Sequence, residues 1–173
     1  MTSVLGLGNV LMGDDGLGPA VVRAFEAEYV VGPGVEVTDL GTPGLDLLPW
    51  LADVERVILI DTVKSDLPPG TLRLYDKADI VRHAPFSRIG PHDPGVKEAL
   101  LALEFAGRAP REVTLIGIVP QHAGMSTELS QPVREAVPGA VAALVAALAR
   151  CGEPATRRAV RVEAAPWWTP AVA

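Results

Sequence analysis

Short apolar runs alternate along this chain with segments whose apolar residues recur at helical spacing. The runs predict strands over residues 3–7, 35–40, 57–60 and 113–119. The run at 57–60 is continuously β-branched or leucine, which is typical of a strand buried on both faces. Helices are predicted over residues 16–31, 44–51, 94–105 and 130–150, and Pro138 should kink or divide the last. Residues 71–75 follow a Pro-Pro-Gly turn and predict an antiparallel edge strand.

The order of these elements predicts the fold class. Helices follow strands, and the buried strands lie in the middle of the chain. We therefore expect an α/β fold with three layers, α/β/α, around a mostly parallel, twisted, five-stranded sheet. Residues 1–151 should form one domain. Residues 152–173 are rich in Arg, Ala and Pro without any period, and are predicted to be a loosely ordered tail.

Composition narrows the class of protein. The chain has 173 residues, of which 49% are hydrophobic, and a formal charge of −6. That charge argues against nucleic acid as a partner, because binding phosphates needs clustered Lys and Arg. Cys151 is the sole cysteine in the sequence, which excludes an internal disulfide and fits a reducing compartment. The longest apolar stretch, residues 140–149, is too short to span a bilayer. We expect a cytoplasmic protein without a membrane partner.

The loop after the first predicted strand, GLGNVLMGDDGLG, resembles a phosphate-binding loop at first sight. Gly6 and Gly8 fit a dinucleotide fingerprint, and Asp39 is placed like a ribose-binding acid, but the third glycine is replaced by Leu11. Asp14 and Asp15 would also put negative charge where a phosphate should bind the helix N-terminus. Dinucleotide binding therefore stays the weaker alternative.

A cation site fits this loop better. Asp15 follows the first strand, Asp61 ends the third, and His92 lies in a loop that opens a helix. Two carboxylates and one imidazole suit a divalent first-row metal with open coordination positions. Spacing alone leaves simpler roles open: Asp14 or Asp15 as a helix cap, Asp61 as a loop cap, and His92 as an ordinary loop residue. Asp93, followed by Pro94, is interpreted as a helix N-cap.

Six motifs stand in order along the chain: LGLGNVLMGDDGLGPAVV, GTPGLDLL, VILIDTV, PHDPGV, VTLIGIVPQ and ELSQPV. Together they resemble the [NiFe]-hydrogenase maturation proteases, from residue 3 to about residue 149. The resemblance implies an α/β/α endopeptidase. Its substrate would be the hydrogenase large-subunit precursor, from which it removes a C-terminal extension after nickel has been inserted.

The resemblance also implies a metal-contacting set that falls on Asp15, Asp61 and His92. Many relatives carry Glu at the first position, so Asp15 brings the metal closer to the loop by one methylene. The nickel would be carried by the substrate and held only loosely by the protein alone. The GT-x-G segment, residues 41–44, would shape the floor beside this site.

The mechanism stays open in the sequence. No Ser-His-Asp order or H-E-x-x-H helix is present, and His83 and His122 have no ligand spacing around them. The metal would dock the scissile bond and polarise its carbonyl or activate water, or Asp15 or Asp61 would serve as general base. A protein of another class, a metal-sensing chaperone that binds the precursor without cutting it, is the alternative.

Overall fold

The computed structural model describes residues 1–43, 47–83 and 95–162 of the chain. Five strands form the central sheet in the order β3-β1-β4-β6-β5. Their bounds are β1 Thr2–Leu7, β3 Val35–Gly41, β4 Arg56–Thr62, β5 Leu72–Asp76 and β6 Glu112–Ile118. All neighbouring pairs are parallel except β5, which runs antiparallel to β6 at the sheet edge. The predicted five-stranded, mostly parallel sheet and its antiparallel edge are confirmed.

Helices cover both faces of the sheet, as the predicted three layers require. Helices α1 (Leu17–Glu28) and α5 (Gln131–Arg150) pack on one face. Helices α2 (Leu48–Leu51), α3 (Lys77–His83) and α4 (Val96–Phe105) cover the other. The described chain therefore buries one apolar core on each side of the sheet.

Strand β4 lies in the middle of the sheet, and its side chains supply both cores. Ile58 and Ile60 point into the α1/α5 core, whereas Val57 and Leu59 point into the opposite one. This alternation explains the unbroken apolar run in the sequence, because both faces of β4 are covered. The strand ends at the carboxyl edge of the sheet with Asp61 and Thr62.

Helix α1 lies unusually close to strand β1, because two glycines face each other. A Cβ at Gly18 would overlap the carbonyl oxygen of Leu7, and one at Gly6 would lie 2.7 Å from the carbonyl oxygen of Gly18. Neither position has room for a side chain. This contact fixes where α1 begins, and therefore where the turn before it lies.

Of the two effects predicted for Pro138, a kink or a division of helix α5, division does not occur. The helix continues through Pro138 as one helix of 20 residues, so the proline does not divide it. Pro138 and Arg134 are both exposed, so water can bond the Arg134 carbonyl that the missing proline N–H leaves free. Among the described helices, α5 alone is long and apolar enough to meet the criteria for a membrane span. Val133, Leu144 and Leu148 on it are fully buried in the core, however.

Two short strands were not predicted. Strand β2 (Tyr29–Val30) pairs with β7 (Thr156–Arg157), which lies in the predicted tail. Beyond it, the N–H groups of Arg158 and Val162 donate to the last carbonyls of α1, on Glu28 and Ala27, at 2.7 and 3.0 Å. The described part of the tail thus caps α1. Residues 163–173 lie outside the described residues, so the prediction for the whole segment stays a prediction.

Candidate functional site

The candidate site lies at the carboxyl edge of the sheet, where the strand order changes direction. The chain leaves β1 for β3 on one side and returns to β4 on the other. The loops after β1 and β4 therefore leave neighbouring strand ends, the position at which open α/β sheets bind ligands. Asp15 follows the first of these strands, and Asp61 lies in the second.

Asp15 is held in a 3₁₀ turn, Gly13–Gly16, between β1 and α1. Its side chain is only 5% exposed. The Oδ2 atom of Asp15 accepts a hydrogen bond of 2.7 Å from the Asn9 N–H. Gly8, with φ +127°, brings the chain back against the Asp15 backbone. The short loop thus folds around this carboxylate.

Asp61 is partly buried, and its carboxyl group lies within electrostatic range of Asp15. Burial raises the pKa of Asp61, and the charge of Asp15 raises it further, to about 8, against hydrogen bonds from Thr62 that lower it. One of these joins the Thr62 N–H to Oδ1 of Asp61 at 2.6 Å. Two carboxyl groups this close favour a proton or a cation between them.

The third predicted ligand, His92, lies outside the described residues, as do Asp93 and Pro94. Over residues 1–43, 47–83 and 95–162, no three His, Cys, Asp or Glu side chains are grouped as a metal site would require. The set Asp15, Asp61 and His92 therefore stays a prediction. Helix α4 begins at Val96 with Gly95 at its N-cap, so the helix start predicted at residue 94 is wrong by two residues.

Asp14 has a role that the sequence did not indicate. Its carboxylate is fully buried and accepts four hydrogen bonds from a distant part of the chain. The donors are the N–H of Gln121 at 2.7 Å, the N–H of His122 at 3.0 Å, and the N–H and hydroxyl of Ser130 at 2.6 and 2.9 Å. Burial acts to raise the pKa of Asp14, but these bonds outweigh it and hold that pKa below its usual value.

The interpretation of Asp14 or Asp15 as the cap of α1 is wrong. The N-cap of α1 is Gly16, which has no side chain with which to cap the helix. Asp14 instead binds the residue that precedes α5, because Ser130 is the N-cap there. No local signal in the sequence separates the two aspartates, because the partners of Asp14 lie more than 100 residues away.

The backbone of the loop also argues against the dinucleotide alternative. A phosphate cradle needs free N–H groups, but those of the loop are donated within the protein. They belong to Gly8, Asn9, Leu11, Met12, Gly13, Asp14 and Asp15. Asp39 accepts the Gly41 N–H and lies 4.0 Å from the Arg23 guanidinium. These seven N–H groups of the loop are therefore not free to bind a phosphate.

The GT-x-G segment does lie beside this loop. The N–H of Gly8 donates to the carbonyl oxygen of Gly41 at 2.8 Å, so the start of the segment touches the glycine turn. Residues 44–46 lie outside the described residues. A floor built by residues 41–44 stays a prediction.

The described chain holds three other side chains that could act as nucleophile or base, those of Cys151, His83 and His122. Cys151 follows α5 at the amino edge of the sheet, near Arg56 and Glu112, and burial raises the pKa of its thiol. His83 is exposed at the end of α3. His122 is half-exposed, with Nδ1 3.7 Å from Oδ2 of Asp14. Its backbone, rather than its ring, holds Asp14.

Comparisons with known proteins all match this chain to hydrogenase maturation proteins. A family model described as hydrogenase maturation protease (HycI) matches residues 19–147. The hydrogenase expression/formation protein HupD of Rhizobium leguminosarum bv. viciae is 33% identical over 156 residues, covering 90% of this chain and 77% of the relative. The hydrogenase 2 maturation protease of Escherichia coli K12 is 33% identical over 147 residues, covering 82% and 88%.

Solved structures give the same picture. The hydrogenase maturating endopeptidase HybD from E. coli superposes with a TM-score of 0.83 at 32% identity, covering 91% of this chain and 97% of that one. The [NiFe] hydrogenase maturation protease HybD from Thermococcus kodakarensis gives a TM-score of 0.63 at 31% identity, covering 83% and 95%.

Proposed function

The chain belongs to the hydrogenase maturation protease family and is a peptide hydrolase, and from this premise we propose its substrate and the residues that recognise it. The substrate is the large-subunit precursor of a [NiFe] hydrogenase. The enzyme removes a C-terminal extension after nickel has been inserted, and it contacts that nickel through Asp15, Asp61 and His92. We place this processing in the cytoplasm. Because the family is one of peptide hydrolases, we no longer consider the alternative of a chaperone that binds the precursor without cutting it.

The observation that carries the proposal is the pairing of Asp15 and Asp61. These residues are 46 positions apart, yet adjacent strand ends bring them within range of each other's charge. Mutual repulsion makes the pair a poor site for a phosphate or another carboxylate. A divalent cation relieves the repulsion and takes oxygen ligands readily.

The proposed ligand set does not fill the coordination shell of a nickel ion. Two carboxylates and one imidazole leave positions open on a six-coordinate ion, which the cysteine thiolates of the precursor fill. The protein alone therefore holds nickel loosely, and binding of metal and of precursor is coupled. Nickel bound in the precursor supplies Lewis acidity near the scissile carbonyl.

The residues of this chain then have defined tasks. The Asn9 N–H bonds the Asp15 carboxylate and so holds it in one orientation. Asp61, with its raised pKa, holds a proton near neutral pH until a cation approaches, and it can accept a proton from attacking water once ionised. Asp15 or Asp61 as general base remains part of the proposal.

The deciding experiment uses precursor prepared with and without nickel. Intact-mass measurement should give one cut near the C-terminus of nickel-loaded precursor, and none in the metal-free preparation. Casein should stay intact. Equal cleavage of both preparations, or digestion of casein, would show a peptidase that does not recognise nickel.

The same assay, applied to variants, tests the role proposed for Asp61. Asp61→Asn keeps the shape and one oxygen but loses the charge, so cleavage should fall at least about 100-fold. Asp66→Asn is the matched control, because Asp66 is exposed in the same loop after β4. Normal cleavage by Asp61→Asn would move Asp61 to a structural role.

A further inference from the structure

We propose that Asp14 is a positioning residue for Asp15: it fastens the turn that carries Asp15 to the segment between β6 and α5. The proposal rests on the function given above, since it assumes that Asp15 contacts the substrate's metal. Asp14 itself is fully buried. Its four hydrogen bonds all go to residues between 107 and 116 positions further along the chain.

The two segments that Asp14 joins are paired along their backbones as well. The Ser126 N–H donates to the Leu11 carbonyl oxygen at 3.0 Å, and the Gly13 N–H donates to the Ser126 carbonyl oxygen at 2.7 Å. The Asp14 N–H donates in turn to the His122 carbonyl oxygen at 3.3 Å. These three backbone bonds and the four bonds to the buried Asp14 carboxylate together hold the 3₁₀ turn against residues 121–130, and we call this set of bonds the clamp.

Only a carboxylate satisfies this arrangement. Oδ2 accepts from Gln121, His122 and the Ser130 hydroxyl, while Oδ1 accepts from the Ser130 N–H. An asparagine offers one oxygen, so its NH₂ group would face at least one of these N–H donors. A buried donor left without an acceptor is unfavourable, and the segments should separate until water reaches it. Glutamate would need space for another methylene where Asp14 has none.

The effect should reach Asp15 because the two residues are adjacent. Asp15 is held on one side by the Asn9 N–H and on the other by the peptide bond to Asp14. The Asp15 N–H also donates to the Met12 carbonyl oxygen at 3.3 Å within the turn, so releasing Asp14 removes the restraint that ties this turn to the distant segment. A displacement of about 1 Å in a reacting group can lower a rate about 100-fold without abolishing binding.

The test compares Asp14→Asn with two controls on nickel-loaded precursor. Ser130→Ala removes a single donor and leaves every backbone donor in place. Leu144→Ala truncates a buried residue of α5 that lies about 20 Å along the helix from Ser130, and it should lower the melting temperature at least as much as Asp14→Asn does. All rates are measured well below the melting temperature of each variant.

We expect kcat to fall at least about 30-fold in Asp14→Asn, with KM for the precursor within about 3-fold of wild type. Ser130→Ala and Leu144→Ala should keep kcat within about 3-fold, because neither frees the turn. Amide exchange should accelerate at Gly13 and Ser126 in Asp14→Asn only.

Three outcomes would overturn the proposal. Wild-type kcat in Asp14→Asn, with Asp61→Asn inactive, would leave the proposed function standing and remove the role of Asp14. A loss of kcat in Leu144→Ala equal to that in Asp14→Asn would make the role one of global stability. If wild-type protein does not process nickel-loaded precursor, the proposed function fails, and unchanged exchange at Gly13 and Ser126 in Asp14→Asn would then refute the clamp as well.

Discussion

Gly8 lies directly against the carbonyl group of Asp15, with no space between them for a side chain. A Cβ at Gly8 would overlap the Asp15 carbonyl oxygen and lie 3.0 Å from its carbonyl carbon. The φ of +127° at Gly8 is in addition a conformation that other residues rarely adopt. The backbone turn at Gly8 thus packs directly on the backbone of Asp15.

Gly8→Ala should therefore destabilise the protein by at least about 2 kcal/mol, because strain and overlap act together. It should also displace Asp15 and lower precursor processing at least about 100-fold in the molecules that remain folded. Urea unfolding and the intact-mass assay measure the two effects.

Gly107→Ala is the matched control for this change. Gly107 also has a positive φ, +68°, but no atom lies near its missing Cβ. Its replacement should cost about 1 kcal/mol and leave processing unchanged. Equal effects of the two substitutions would contradict the packing of Gly8 on Asp15.

The raised pKa of Asp61 predicts a pH dependence of stability for the metal-free protein. The folded pKa is about 8, above the ordinary value of 3.8, so between these values the folded state binds more protons than the unfolded state. Stability should therefore fall as pH rises from about 4 through 8, by at most about 1.4 kcal/mol per pH unit. Urea midpoints measured in chelator at half-unit steps should show this slope.

Asp61→Asn should flatten that slope and be more stable than wild type above pH 8. Asp14 gives a separate signal of opposite sign. Its pKa is lowered in the folded state, so its contribution is lost as pH falls through and below its ordinary value. The acid loss of stability should persist in Asp61→Asn. An unaltered slope between pH 4 and 8 in this variant would show that Asp61 is not the titrating group.

His92→Ala should abolish processing while changing the melting temperature by less than about 2 °C, because the sequence predicts a loop at His92 and loop residues contribute little to a core. The ligand role comes from the resemblance in the sequence. His83→Ala is the control, since His83 is exposed at the end of α3. Processing at the wild-type rate by His92→Ala would remove His92 from the proposed metal contacts.

Cys151→Ser should process precursor within about 2-fold of the wild-type rate. Burial raises the pKa of the Cys151 thiol, so little thiolate exists near neutral pH, and the residue lies at the sheet edge opposite Asp15. Iodoacetamide should likewise leave activity intact. Inactivation by the reagent that Cys151→Ser prevents would reveal a thiol mechanism.

Removing residues 154–173 should cost about 1–3 kcal/mol and leave processing intact. The described part of this segment donates three hydrogen bonds to the last carbonyls of α1, including one from Arg158 Nε to Glu26. The ion pairs of Arg157 and Arg161 with Glu28 are exposed and add little. Arg158→Ala should reproduce part of the loss. Complete loss of processing in the truncated protein would connect the segment to the site.

The sheet and its layers were predictable because they rest on periodicity. Strand β4 is read correctly from four apolar residues, since its place between β1 and β6 covers both faces. Division of helix α5 at Pro138 is wrong because the effect of a helix proline depends on its exposure, which no local pattern gives. Strands β2 and β7 were missed because a pair of two-residue strands carries no period.

The site was predictable only in part. Asp15 and Asp61 followed from the rule that parallel strands end together. The role of Asp14 did not, because its partners Gln121 and Ser130 lie more than 100 residues away and bind it largely through backbone groups. Which of two adjacent aspartates is bound by a distant segment is decided by tertiary hydrogen bonds that leave no trace in residue type.

The position of β1 has a practical consequence for work with large substrates. The strand begins at Thr2 and runs between β3 and β4, so Met1 lies at the amino edge of the sheet, where its ammonium group is 3.8 Å from Glu55. Six residues of strand, about 20 Å, separate that end from the loop that carries Asp15. An affinity tag or surface tether joined before Met1 would therefore lie at the opposite edge of the sheet from Asp15. The carboxyl edge would stay accessible to a large protein substrate.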